Sequence, residues 1–109
     1  MAIVFLSLLF LFNVSNDVPL LEEGKAATVR KQTSTPQEIK VVSYNIRWRS
    51  GEDLKKIIKL LREDPEIGGA AILGLQEVDR RKKRSGRNNT VKIIADELGL
   101  HYAWAAPPA

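Results

Sequence analysis

Ten consecutive residues, Ala70-Ala71-Ile72-Leu73-Gly74-Leu75-Gln76-Glu77-Val78-Asp79, set the tightest limit on what this chain can fold into. An apolar run of this length, bounded by turn-formers, reads as a buried strand. It breaks off into an amide and two carboxylates, and polar groups at the end of a buried strand can face a cleft. In α/β folds such strand ends are where ligands and chemistry are placed.

A second strand precedes it. Ile39-Lys40-Val41-Val42-Ser43-Tyr44-Asn45-Ile46 is β-branched and aromatic, which suits a pleated surface. Between the two, Ser50-Gly51-Glu52-Asp53 supplies a helix start with acids in the first turn. Leu54, Ile57, Ile58 and Leu61 then follow at helical spacing until Asp64-Pro65. Strand, amphipathic helix and strand make a βαβ unit, whose crossover lays the two strands parallel and puts their carboxyl ends on one edge. Asn45 and Glu77 stand at those ends, so they are expected to converge.

Beyond Glu77, Arg80-Arg81-Lys82-Lys83-Arg84-Ser85-Gly86-Arg87 holds six basic residues in eight and reads as a solvated loop. Asn88-Asn89-Thr90 offers caps for a second helix, carried by Val91, Ile94, Ala95 and Leu98 and ended by Gly99. Asn88-Asn89-Thr90 also fits the glycosylation pattern, which its capping role makes unnecessary. Leu100-His101-Tyr102-Ala103-Trp104 reads as a short third strand. The single histidine, His101, is read as structural.

The N-terminal part is of another kind. Residues 2–12 are unbroken in hydrophobicity, the length of a signal-peptide core and too short to span a bilayer comfortably. Residues 1–27 are therefore read as a signal peptide or membrane anchor, with a misplaced start as the third option. Gly24-Lys25-Ala26 is a small-x-small site. Export to the periplasm or the extracellular space is expected, with anchoring by residues 2–12 as the alternative. Residues 28–38, within an irregular polar stretch running from Asn13 to Glu38, are read as a linker, and 39–109 as the folded part. With the leader removed roughly 80 residues remain, a size at which one core supplies only about 3–5 kcal/mol.

The absence of cysteine excludes a disulfide framework and a thiolate zinc site. Past Ala27 the chain carries 16 basic and 10 acidic residues, a balance that favours phosphate-bearing partners. No protein partner is expected, and the chain is read as a monomer.

Val42-Ser43-Tyr44-Asn45-Ile46, a helix, Ile72-Leu73-Gly74-Leu75-Gln76-Glu77-Val78, a basic loop, a helix and Leu98-Gly99-Leu100-His101-Tyr102 resemble, in that order, the N-terminal part of the endonuclease/exonuclease/phosphatase superfamily. The resemblance covers about residues 39–104. It implies an α/β fold, the truncated N-terminal part of a four-layer sandwich. It also implies metal-dependent hydrolysis of phosphodiesters or phosphomonoesters, in nucleic acid or phospholipid, with magnesium or with manganese in its place. Glu77 matches the family's metal-ligating glutamate and Asn45 an asparagine near ion and phosphate, so both are expected as catalytic and metal-site residues, the Asn45 amide oxygen completing a half-site with the Glu77 carboxylate. A magnesium ion held by one or two carboxylates, waters and substrate phosphate is consistent with that pair.

Other roles for these residues stay open. Glu77 could be a helix cap or an ion-pair partner of Arg80 or Arg81, and Asn45 a turn-former ahead of Arg47. Gln76 is read as a hydrogen-bonding neighbour of the site, and Asp79 as a loop cap or salt-bridge partner. Arg80, Arg81, Arg84 and Arg87 are candidate contacts to substrate phosphate. Trp48 and Trp104 could stack on bases, with packing as the plainer role. The family's general-base histidine with its aspartate, and its Asp-x-Asn motif, are not in these 109 residues, so negligible turnover is expected from this chain. The competing expectation is a small secreted basic module that binds nucleic acid or anionic lipid without catalysis.

Overall fold

The computed structural model describes residues 20–31 and 38–108. Along these, β1 (Leu21–Gly24) is followed by β2 (Val41–Asn45), α1 (Gly51–Glu63), β3 (Ile72–Gln76), a 3-10 turn at Lys83–Ser85, α2 (Thr90–Leu98) and β4 (Tyr102–Ala105). The result is a small mixed α/β domain with two helices and four strands in two two-stranded sheets.

The expected βαβ unit forms. β2 and β3 pair in parallel, Val41 opposite Ile72 and Asn45 opposite Gln76, with α1 as the connection. Alternation decides which side chains reach the core. Val42 is buried and Tyr44 half-buried, and Tyr44 and Leu75 pack on a cluster of Ile46, Leu54, Ile58 and Ile94. Val41, Ser43, Asn45, Ile72, Gly74 and Gln76 point the other way and are exposed. Val41 and Ile72 keep 64% and 55% of their surface, so the outward face of this sheet carries apolar side chains with no cover among the described residues.

Both helices begin and end where the residues dictate. Ser50 has the extended backbone of an N-cap, and Glu52 and Asp53 complement the positive end of α1. Leu54, Ile58 and Leu61 form its buried stripe. The helix stops at Asp64, which Pro65 holds in the extended region at ψ 136°. The Asp64 carboxylate then accepts from the N–H groups of Glu66 and Ile67 at 2.8 and 3.1 Å, which shapes the turn into β3. In α2 the Asn89 side chain accepts from Lys92 N–H at 3.3 Å, and Gly99 closes the helix in the left-handed region at φ 67°. A side chain at Gly99 would also strike the backbone of Thr28 and Arg30, which pass against it.

Four residues of the stretch 1–27 are part of the fold. Leu21–Gly24 is a strand, antiparallel to β4, with Glu22 opposite Trp104 and Gly24 opposite Tyr102. Its Glu22 carboxylate accepts from Asn89 Nδ2 at 2.7 Å and Tyr102 Oη at 2.8 Å, and pairs with the Arg80 guanidinium. Gly24-Lys25-Ala26 therefore begins on the last residue of β1, and a cut after it would remove β1 with Glu22. Four residues with two adjacent acids are too short and too charged to announce a strand. The hydrophobic segment 2–12 lies outside the described residues. Among those that are described, no helix is long and apolar enough to cross a membrane.

Two outcomes follow from this packing. Leu61, 1% exposed, is expected to destabilise the domain by about 2–5 kcal/mol when changed to alanine, read by urea denaturation. Glu22 is held below the ordinary glutamate range by the Tyr102 and Asn89 hydrogen bonds and then by Arg80, against the opposing effect of burial. Its contribution is full above its unfolded pKa near 4.5 and lost as pH falls through the lowered folded value. Thermal midpoints across this acid window should fall less steeply for Glu22→Gln than for the natural chain.

Candidate functional site

The carboxyl ends of β2 and β3 form one rim. Because Asn45 sits opposite Gln76 in the parallel register, Glu77 emerges one residue beyond, within reach of Asn45. Asn45 Nδ2 donates to Glu77 Oε1 at 2.9 Å, and Asn45 Oδ1 accepts from Arg47 N–H at 2.8 Å. A carboxylate only accepts and a backbone N–H only donates, so both contacts are satisfied by one orientation of the amide. Asn45 is thus both the turn-former ahead of Arg47 and the group that orients Glu77. It meets Glu77 through its nitrogen, and its oxygen is already engaged.

The backbone around this pair is unusual. Arg47, Trp48 and Glu77 have φ of 47°, 50° and 55°, the left-handed region that costs a non-glycine residue about 1–2 kcal/mol. Ile46 N–H and Trp48 N–H donate to the carbonyls of Gln76 and Glu77 at 3.2 and 2.9 Å, extending the strand pairing around the turn. These bonds and the burial of Ile46, 1% exposed, hold the turn in place. Strain held in this way collects at functional sites more often than elsewhere.

Gln76 turns to Ser43 Oγ and Gly74 O at 3.0 and 3.1 Å, along the exposed face of the sheet. Asp79 is buried at 6% exposure and accepts two hydrogen bonds from Arg84, each 2.8 Å. Its salt-bridge reading is the one realised, and both its oxygens are committed. Arg84 in turn lies over the Trp48 ring, 5.1 Å from its centroid. Glu77 forms no salt bridge with Arg80 or Arg81 among the described residues.

The basic loop is more ordered than a run of charges suggests. Arg80 is largely buried, pairs with Glu22 and lies 5.4 Å from the Trp104 centroid, so it is not free to meet a substrate phosphate. Ser85 is fully buried inside the 3-10 turn. Arg81, Lys82, Lys83 and Arg87 are exposed and have no ion-pair partner among the described residues. Trp104 donates from Nε1 to Val78 O at 3.0 Å, a packing role. His101 accepts from Ala26 N–H through Nδ1 at 3.1 Å.

A groove of about 770 Å³ joins these pieces, with Trp48, Glu77, Lys82, Arg84, His101 and Trp104 on its walls. Glu22 and the Arg84–Trp48 stack are the parts that sequence reasoning missed. No local pattern marks either, since both depend on residues brought together from distant positions.

The Arg84 contact is checkable by titration. Hydrogen bonds from Arg84 are the main cause holding the Asp79 carboxyl below the usual range, with burial opposing and Ser85 assisting. In Arg84→Ala the Asp79 carboxyl is expected to titrate at a higher pH than in the natural chain, read from carboxyl carbon shifts in NMR. Compared with protein-family models, with curated proteins and with solved structures, the chain matches none.

Proposed function

We propose that this chain is the N-terminal part of a four-layer α/β sandwich of the endonuclease/exonuclease/phosphatase type, a metal-dependent phosphoesterase in which Glu77 holds magnesium or manganese against a phosphate ester. One observation carries the reading: the 2.9 Å hydrogen bond from Asn45 to Glu77 across the ends of two parallel strands, at the wall of a groove. The bond orients an exposed carboxylate without neutralising it. The uncovered apolar face of β2 and β3 supports the layered architecture, because parallel strands are ordinarily covered on both sides.

The donors present suit a hard ion that keeps most of its water. Of the two acids on this rim, Asp79 has both oxygens on Arg84, whereas Glu77 Oε2 has no hydrogen-bond partner among the described residues. Those residues hold no group of three or more His, Cys, Asp or Glu side chains able to form an all-protein cage. One carboxylate plus waters and a substrate phosphate is a magnesium arrangement. The ion, when bound, offsets charge on the phosphoryl oxygens. Glu77 is its ligand and Asn45 the group that aims Glu77.

The single histidine does not supply a general base at Nε2. A neutral His101 whose Nδ1 accepts from Ala26 carries its proton on Nε2, and so has no lone pair to offer a water there. Negligible turnover is therefore expected from the chain alone, while ion binding persists.

Titration of the full chain with manganese, followed by paramagnetic broadening of amide signals, tests this. Signals at Asn45, Arg47 and Glu77 should broaden first. Glu77→Gln should abolish the effect, and Asn45→Ala should weaken affinity about tenfold. Broadening that starts elsewhere, or survives Glu77→Gln, removes the reading. Binding of nucleic acid or anionic lipid that needs neither the ion nor Glu77 would instead favour the non-catalytic module, which the four unpaired cations of the loop support.

A further inference from the structure

We propose that Trp48 is a stacking platform for a nucleobase, so that the phosphodiester brought to Glu77 belongs to a single-stranded nucleic acid. The inference deepens the phosphoesterase reading of Glu77 by naming its substrate class. Four observations carry it.

Trp48 retains 48% of its surface although the Arg84 guanidinium lies over its ring. A large indole kept that open, in a domain this short of apolar burial, is a surface available to a flat ligand. Its backing is fixed, because Arg84 is anchored to the buried Asp79 by two hydrogen bonds. The platform thus combines a planar cation over its ring with about half of the residue's surface open to solvent.

Placement comes next. Trp48 N–H donates to the Glu77 carbonyl, so ring and carboxylate spring from hydrogen-bonded backbone positions. Both residues are held in the left-handed region, which fixes where their side chains leave the chain. They share the same groove.

Charge completes the set. Lys82 lines the groove, and Arg81, Lys83 and Arg87 stand exposed on the same loop with no acid paired to them among the described residues. An aromatic platform beside a row of unpaired cations is the physical arrangement that binds single strands: the ring takes a base and the cations track the backbone. A base can lie flat on an indole only when it has left its own stack, which selects single strands or frayed ends over duplex. A phospholipid headgroup uses the cations but gives the ring nothing flat to meet.

The test is fluorescence anisotropy of a labelled oligothymidylate of about eight nucleotides, within the span such grooves cover, titrated with the full chain in EDTA. Alongside it run an abasic oligomer of the same length and vesicles containing sphingomyelin or a phosphoinositide. The expected result is that oligothymidylate binds about tenfold more tightly than the abasic oligomer. Trp48→Leu should erase that difference, and Trp48→Phe, which keeps a flat ring, should preserve most of it. Equal affinity for both oligomers overturns the proposal. So does an unchanged Trp48→Leu, a Trp48→Phe as weak as Trp48→Leu, or binding to vesicles in place of oligothymidylate. Because EDTA removes divalent ions, failure here leaves the Glu77 ion site standing, and failure of the manganese titration leaves base stacking standing.

Discussion

The parallel register of β2 and β3 is the constraint on which the rest of the site depends. Side chains alternate along each strand, so a slip of one residue would turn Asn45 toward the helices and send Val42 into solvent. With Asn45 opposite Gln76, the chain past each strand end must turn at once, and it does so through three left-handed residues. The turn is affordable only because Ile46 is buried against Leu54, Ile58 and Ile94 and because two backbone hydrogen bonds bridge the strand ends. Core packing thus fixes the direction of an exposed carboxylate, through a chain of contacts that begins with apolar burial and ends at Asn45 Nδ2.

Two largely buried acids then organise the basic loop. Glu22 takes Arg80 and Asp79 takes Arg84, each with further hydrogen bonds that compensate for loss of water. Their effect is to divide a run of six cations into two kinds. Arg80 and Arg84 are fixed beneath or beside the tryptophans, and Arg81, Lys82, Lys83 and Arg87 are left to solvent. The proposed ion site and the proposed base platform meet where these two kinds adjoin. Arg84 gives its hydrogen bonds to Asp79, and Glu77 Oε2 has no hydrogen-bond partner among the described residues.

Much of the fold was legible in the residues. The stripe of Leu54, Ile58 and Leu61, the proline after Asp64, the Asn89 cap and Gly99 mark both helices to within a residue or so of their ends. β2 and β3 lie inside the runs that suggested them, with each observed strand shorter because its flanking residues turn toward the helix or the rim. The convergence of Asn45 and Glu77 followed from topology, since a crossover helix leaves both strand ends on one edge.

By itself, then, the sequence determined the helices, the parallel strand pair and the meeting of an amide with an acid, because these rest on periodicity, caps and short connections. Tertiary structure decided the rest. It made a strand of Leu21–Gly24, buried Arg80 in what reads as a solvated loop, and placed Arg84 on Trp48. Those outcomes depend on partners 36 to 84 positions apart, from Trp48 with Arg84 to Leu21 with Ala105, and no local pattern encodes which acid a guanidinium will find.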